Sequence, residues 1–174
     1  ASDLKSSSSK KISDEEIDTD FDMESLIAED LAVVTFSRDG YVKRVALDTY
    51  RAQSRGGRGI RGSEAKEGDV LKSLFVASTH DYLLYFSNMG QVYWLKTYQI
   101  PEASRNSKGR AITNLLPLRE GEQITGILRV PEFENEKYVV FATRQGVIKK
   151  TALEAYSRPK KGGIRAILLG EEDE

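Results

Sequence analysis

The chain contains no cysteine and a single histidine, His80. Without cysteine there are neither disulfides nor thiolate metal sites, and one histidine excludes a His-cluster zinc centre and most histidine-activated nucleophiles. No apolar run approaches the roughly 18 residues that a membrane span needs, and no secretory leader pattern is visible at the N-terminus. A phosphate-binding loop of the form G-x-x-x-x-G-K-[ST] is also missing. Together these absences point to a soluble cytoplasmic protein with no membrane partner, no catalytic constellation and no cofactor of its own.

What is present is charge, unevenly distributed. The formal net charge of −1 hides ten acids against three lysines in residues 1–30 and four acids in residues 171–174. Residues 31–170 therefore hold 23 Lys/Arg against 13 Asp/Glu, a net of +10. A basic body between acidic ends suits a polyanionic partner better than the overall charge suggests. Residues 1–20, with four consecutive serines followed by acids, bury no core and read as a linker. Residues 21–30 fit a short helical turn or an entry strand.

The body, residues 21–174, repeats. LAVVTF, Ser37-Arg38-Asp39-Gly40 and YVKRVAL form a first unit. YLLYF, Ser87-Asn88-Met89-Gly90 and QVYWLK form a second, and KYVVFA, Thr143-Arg144-Gln145-Gly146 and VIKKTAL a third. Each is a β-rich run, a connection ending in glycine and a second β-rich run, the pattern of an antiparallel hairpin. The glycines are spaced by 50 and 56 residues, which places the repeats at about 31–80, 81–136 and 137–174. A tyrosine follows each hairpin (Tyr50, Tyr98, Tyr156), then a basic glycine-containing loop, then an acidic turn. After the first two loops the turn (Glu67-Gly68-Asp69, Glu120-Gly121-Glu122) leads into an apolar strand. The third repeat stops at its acidic turn, so its last strand is expected to be missing and one sheet edge to lie open. Units of this length with about four short antiparallel strands match propeller-type blades, and the 3.6-residue spacing of helical solenoids is absent. The fold class is all-β.

The densest local feature is Gln53-Ser54-Arg55-Gly56-Gly57-Arg58-Gly59, followed by Ile60-Arg61-Gly62. Glycines permit close backbone approach and arginines offer bidentate donors to phosphate, although a Gly/Arg-rich stretch is equally consistent with a solvated loop. The second loop carries Arg105, Lys108 and Arg110; the third carries Arg158, Lys160, Lys161 and Arg165. Arg51 precedes the first loop, and Lys43, Arg44, Lys96, Lys149 and Lys150 lie in the second hairpin strands, read as being in matching register. If the repeats are blades, these positions form a curved basic track that contacts a nucleic-acid backbone without reading bases.

The order VVTFSRDGYVK, QSRGGRG, THDYLLYFSNMGQVYWLKTYQIPEASRNSKGRAITNLLPL, FATRQGVIKKTALEAY resembles the C-terminal domain family of DNA gyrase A over roughly residues 24–170. Residues 53–59 resemble that family's box, Q-R-R-G-G-[KR]-G, with Ser54 where arginine is usual; the related topoisomerase IV protein typically lacks an intact box. The resemblance implies a β-pinwheel, a six-bladed propeller-like disc whose blades exchange strands, of which three repeats are about half. It also implies duplex DNA wrapped around a basic perimeter, in support of negative supercoiling. The implied partners are the rest of the gyrase A chain and the gyrase B chain, in an A2B2 holoenzyme whose ATP and magnesium are bound elsewhere.

Other residues read blandly. Trp94 and the tyrosines are expected in packing, and His80 in a turn or cap. Asp18, Asp20, Asp22 and Glu29 mimic the ends of a calcium loop, but Met23 and Leu26 occupy positions that such a loop needs for glycine and a ligand. Two other functions remain open: a propeller used for protein–protein contact, which would expect a balanced rim charge, and an RNA-binding RGG element, which usually occurs in several copies within disordered segments.

Overall fold

The computed structural model describes residues 24–52 and 69–174. The readings for residues 1–20, for the calcium-like Asp18, Asp20 and Asp22, for the box at Gln53, Ser54, Arg55, Gly56, Gly57, Arg58 and Gly59, and for Arg61 lie outside the described residues.

The three hairpins share one local chemistry. Gly40, Gly90 and Gly146 take φ of +82°, +69° and +87°, a conformation that costs any residue with a Cβ. Each glycine N–H donates back to the carbonyl of Ser37, Ser87 or Thr143, at 3.0–3.1 Å. The hydroxyls of those residues accept from the N–H that opens the second strand: Tyr41 (3.1 Å), Gln91 (3.3 Å) and Val147 (3.1 Å). The results are β1 (Leu31–Ser37) with β2 (Tyr41–Ala46), β4 (Tyr82–Ser87) with β5 (Gln91–Lys96), and β8 (Tyr138–Ala142) with β9 (Ile148–Ala152). Their registers coincide, from Ala32↔Ala46, Tyr82↔Lys96 and Tyr138↔Ala152 to Phe36↔Val42, Phe86↔Val92 and Ala142↔Ile148.

A third strand joins each of the first two hairpins. β3 (Leu71–Ser78) adds to β1 and β7 (Ile124–Val130) to β4, each with a bulge at the same place, Phe36/Ser37 and Phe86/Ser87. The fourth strand comes from the following repeat. β6 (Arg110–Ala111) pairs with β2, and β10 (Ile164–Arg165) pairs with β5. The sheets are therefore β3-β1-β2-β6 and β10-β5-β4-β7, while β8-β9 is two-stranded. These are antiparallel blades of four strands that exchange strands between repeats. Among the described residues β8 and β9 pair with no further strand. Tyr138, Val140 and Ile148 on this hairpin are 53%, 62% and 74% exposed.

Alternation along β4 and β5 explains why they are almost wholly apolar. Leu83, Tyr85, Tyr93 and Leu95 face one way and pack with Val34, Phe36 and Val42 of the first sheet. Leu84, Val92 and Trp94 face the other way, against Leu153, Tyr156 and Ala166 of the third repeat. A sheet covered on both faces has no polar face to write into its sequence. Phe86 sits edge-on to Phe141 (5.3 Å) and Tyr156 (6.3 Å), and the Trp94 indole N–H donates to the Tyr156 carbonyl at 2.9 Å.

Short helical turns follow the second hairpin strands: α1 (Leu47–Ala52), then 3-10 turns at Thr97–Gln99 and Leu153–Tyr156. Tyr50 and Tyr156 lie ten residues after their hairpin glycines. In the second repeat Ile100, fully buried, takes that place, and Tyr98 lies two residues earlier. His80 is in the β3–β4 turn, with Nε2 2.7 Å from the Ile27 carbonyl. Residues 24–30 form a short turn tied to Thr79 through Asp30. Among the described residues no helix is long and apolar enough to cross a membrane.

The acidic turns clasp the hairpin turns. The N–H groups of Arg38, Asn88 and Arg144 donate to the carbonyls of Val70, Gln123 and Glu174 at 2.8–2.9 Å. The preceding acid in each case accepts from the hairpin turn: Asp69 from Asp39 N–H (3.1 Å), Asp173 from Gln145 N–H (2.9 Å) and Glu122 from the Ser87 hydroxyl (2.5 Å). Glu122 is buried and also accepts from Tyr93 Oη–H and Arg119 N–H, both at 2.9 Å. Burial pushes its pKa up, but the Arg119 N–H, the Ser87 and Tyr93 hydroxyls and the Arg119 charge together hold it below the usual carboxylate value. Burial, then Glu122, raises the Tyr93 hydroxyl to about 12.

Two outcomes follow. Because the folded-state pKa of Glu122 is depressed, its stabilisation is complete above the unfolded value of about 4.3 and is lost as pH falls through the folded value. Glu122→Gln should destabilise by about 1–3 kcal/mol at pH 7 and flatten the acid limb of stability against pH in urea titrations. Glycine substitutions should separate turn strain from docking. A Cβ on Gly146 meets nothing within 4 Å, whereas on Gly163 it falls 2.6 Å from the Tyr93 ring and on Gly109 2.5 Å from the Val42 carbonyl. Gly146→Ala should cost about 1–2 kcal/mol, and Gly109→Ala or Gly163→Ala at least about twice that; equal costs for the three would refute the docking role.

Candidate nucleic-acid interface

Each described basic loop lies along the second hairpin strand of the repeat before it. β2 holds residues 100–112 in sequence. The N–H of Arg44 donates to the Pro101 carbonyl at 3.3 Å and its carbonyl accepts from Ala103 at 3.0 Å, while Val42 pairs with Arg110 and Tyr41 with Ala111. β5 holds the third loop likewise, Val92 pairing with Ile164 and Gln91 with Arg165. Gly109 and Gly163 are equivalent, both at positive φ and both packed on the neighbouring strand. Their freedom serves docking between repeats.

The described candidates divide into displayed and committed side chains. Arg51, Lys108, Arg110, Lys149, Lys150, Arg158, Lys160, Lys161 and Arg165 are exposed. The Lys108 ammonium lies 3.7 Å from the centre of the Tyr41 ring, and its hydrogen bond with Tyr41, foremost, raises its pKa. The half-buried Arg105 lies over Tyr50 at 5.1 Å, and Lys150 over Tyr138 at 3.9 Å. Lys149 Nζ reaches the Ala166 carbonyl at 2.6 Å.

Three expected perimeter residues are engaged within the protein, Lys43 buried and Arg44 and Lys96 half-buried. Lys43 is 5% exposed, and its ammonium donates to the carbonyls of Arg105, Ser107 (2.7 Å) and Ser104 (3.5 Å). Burial, then the Arg105 charge, lowers its pKa. Arg44 directs Nε to the Ile100 carbonyl at 2.7 Å and Nη1 to Glu102 at 3.4 Å. Lys96 donates to Glu24 and the His80 carbonyl, both at 2.9 Å, and lies over Tyr82. Carbonyl-rich connections consume these cations because their own acceptors would otherwise be buried without donors. The matching register also fails for Lys96, which shares its place with Ala46 and Ala152, whereas Lys43 matches Lys149 and Arg44 matches Lys150.

Two roles are not evident from the sequence. Tyr41 and Tyr50 serve as platforms for the cations of the next repeat's loop, and the acidic turns clasp the hairpins. The recurrence of both residue types is the signal for them; the partners of the tyrosines lie in the next repeat, and those of the acids in the hairpin turn of their own repeat. Among the described residues no group of three or more His, Asp or Glu could hold a metal.

Comparison with known proteins agrees with this architecture. The family model described as "DNA gyrase C-terminal domain, beta-propeller" matches residues 32–78, 81–131 and 137–174. Over 155 residues the chain is 54% identical to the DNA gyrase A protein of Aeromonas salmonicida and 52% identical to that of Haemophilus influenzae. The matches cover 89% of this chain but 17% and 18% of those proteins, so the chain spans less than a fifth of their length. Among solved structures, the C-terminal domain of DNA topoisomerase IV superposes with a TM-score of 0.71 at 30% identity, over 85% of this chain and 45% of that one. The DNA gyrase A C-terminal domain superposes with a TM-score of 0.62 at 26% identity, over 82% and 45%. With its three strand-exchanging repeats, the chain belongs to the DNA gyrase C-terminal domain family.

Proposed function

We propose that this chain binds duplex DNA without regard to sequence and bends it around a basic perimeter, as the wrapping part of a gyrase A protein that works together with gyrase B. The observation that carries this reading is the repetition of exposed loop cations at equivalent sheet edges: Lys108 and Arg110 on β2, then Lys160, Lys161 and Arg165 on β5. Charges spaced along successive blades would meet successive phosphates, and among the described residues no helix longer than the six-residue α1 is offered to a groove for base readout. The residues of the box, from Gln53 to Gly59, extend the same series by sequence and are proposed as the clamp at the tightest part of the curve. No catalytic step and no cofactor is assigned to this chain; strand cleavage and ATP hydrolysis would belong to the remainder of the holoenzyme, and the setting would be the cytoplasm.

Affinity should vary by less than about a hundredfold among unrelated duplexes and fall roughly a thousandfold between 50 and 200 mM salt, as for about six phosphate contacts. Competition assays check both, and an RNA arm at fixed salt separates this reading from an RGG-type module. Replacing residues 53–59 with alanine should leave short-duplex affinity within about tenfold while removing most bending, read by energy transfer between the ends of a longer duplex. Undiminished bending would make the box a bystander.

A further inference from the structure

Lys43 is charged, buried and outside the displayed set, and its three N–H donors meet three carbonyls of one loop, Ser104, Arg105 and Ser107. An ammonium has three donors and no acceptor, so this loop satisfies it without water. The carbonyls belong to the stretch that carries Arg105 and Lys108, the two cations lying over Tyr50 and Tyr41 of the same repeat as Lys43. A Cβ on Gly109 would fall 3.0 Å from Lys43 Cβ, so the loop also lies against the stem of this side chain. At the same place in the second repeat stands Tyr93, whose ring packs on Gly163 of the third loop. The position three residues past the hairpin glycine thus seats the following repeat's basic loop in both cases.

We propose that Lys43 is a positioning residue for phosphate binding: a buried cation that fixes the backbone of residues 104–107 so that Lys108, in the adjoining turn, faces DNA. It acts through the loop and touches no phosphate itself. This rests on the reading of the chain as a DNA-bending domain. Turning carbonyls inward onto one ammonium removes the loop's acceptors from the surface that would meet a polyanion, and leaves cations there. Without the ammonium these carbonyls regain water only by swinging outward, which carries Lys108 off the Tyr41 ring.

The test is a double-mutant cycle on the whole 174-residue chain, reading the slope of log affinity against log salt for a short duplex, with end-to-end energy transfer for bending. Trp94 emission and urea titration monitor folding. Lys108→Ala alone should make the slope shallower by about one unit. Lys43→Met should make it shallower by roughly one to two units and reduce bending, although Lys43 is buried. In the Lys43→Met background, Lys108→Ala should change the slope no further. Additive effects, or a Lys43→Met variant with unaltered slope and bending, would overturn the proposal. If Lys43→Met does not fold, Lys43→Gln, which keeps an amide donor for the loop, is read in the same cycle; failure of both to fold would assign the side chain to stability alone and also overturn it. A parent chain without steep salt dependence would instead refute the DNA-bending reading itself.

Discussion

Backbone pairing between one repeat's second hairpin strand and the next repeat's basic loop is the contact on which the remaining structure depends. β2 and β5 would otherwise present rows of unpaired N–H and C=O groups at a sheet edge. The strands that cover them, β6 and β10, are only two residues long. Such short ladders hold because Gly109 and Gly163 let the chain come down onto the neighbour and because Lys43, Arg44 and Tyr93 grip what lies on either side. Once covered, the sheets present full apolar faces to each other, and the two clusters around Leu83 and Leu84 close between them.

One segment therefore has two tasks. Residues 104–112 and 158–167 complete a neighbour's sheet and also display cations. The tasks are divided by residue type: glycine and the short strand dock, while lysine and arginine beside them face out. The division is not identical in the two loops. Arg110 is the partner of Val42, but Arg165 is the partner of Gln91, one place nearer the hairpin glycine on the receiving strand. With side chains alternating along a strand, these two arginines leave opposite faces of their ladders. The charge passes from blade to blade as a staggered band rather than in single file.

What is legible in the sequence is what local chemistry dictates. The hairpins can be read because Ser/Thr-x-x-Gly fixes a turn within four residues, and the all-β class follows from their repetition. The exchanged strands cannot, since Arg110–Ala111 carries no strand pattern and its partner is about seventy residues earlier. Lys43, Arg44 and Lys96 read as perimeter because a charged residue in a strand usually faces water; here each meets carbonyls supplied by a distant connection, which single-sequence reasoning has no means to locate. Tyr98 aligns with Tyr50 and Tyr156 by residue type, but the structural place belongs to Ile100, which is buried as Tyr156 is. Beyond the hairpins, the candidate site is legible in composition and illegible in orientation.

The strand exchange also fixes an order of events during synthesis. Sheet β3-β1-β2-β6 has its first strand at Leu31, yet it is complete only when Ala111 is available. The second sheet begins at Tyr82 with β4 and waits for Arg165. A growing chain therefore leaves the ribosome with each blade one strand short until most of the following repeat has emerged, and nascent chains of neighbouring ribosomes carry matching vacancies and matching donors. Faster elongation through residues 97–111 would shorten the time in which a donor from another chain can fill that edge.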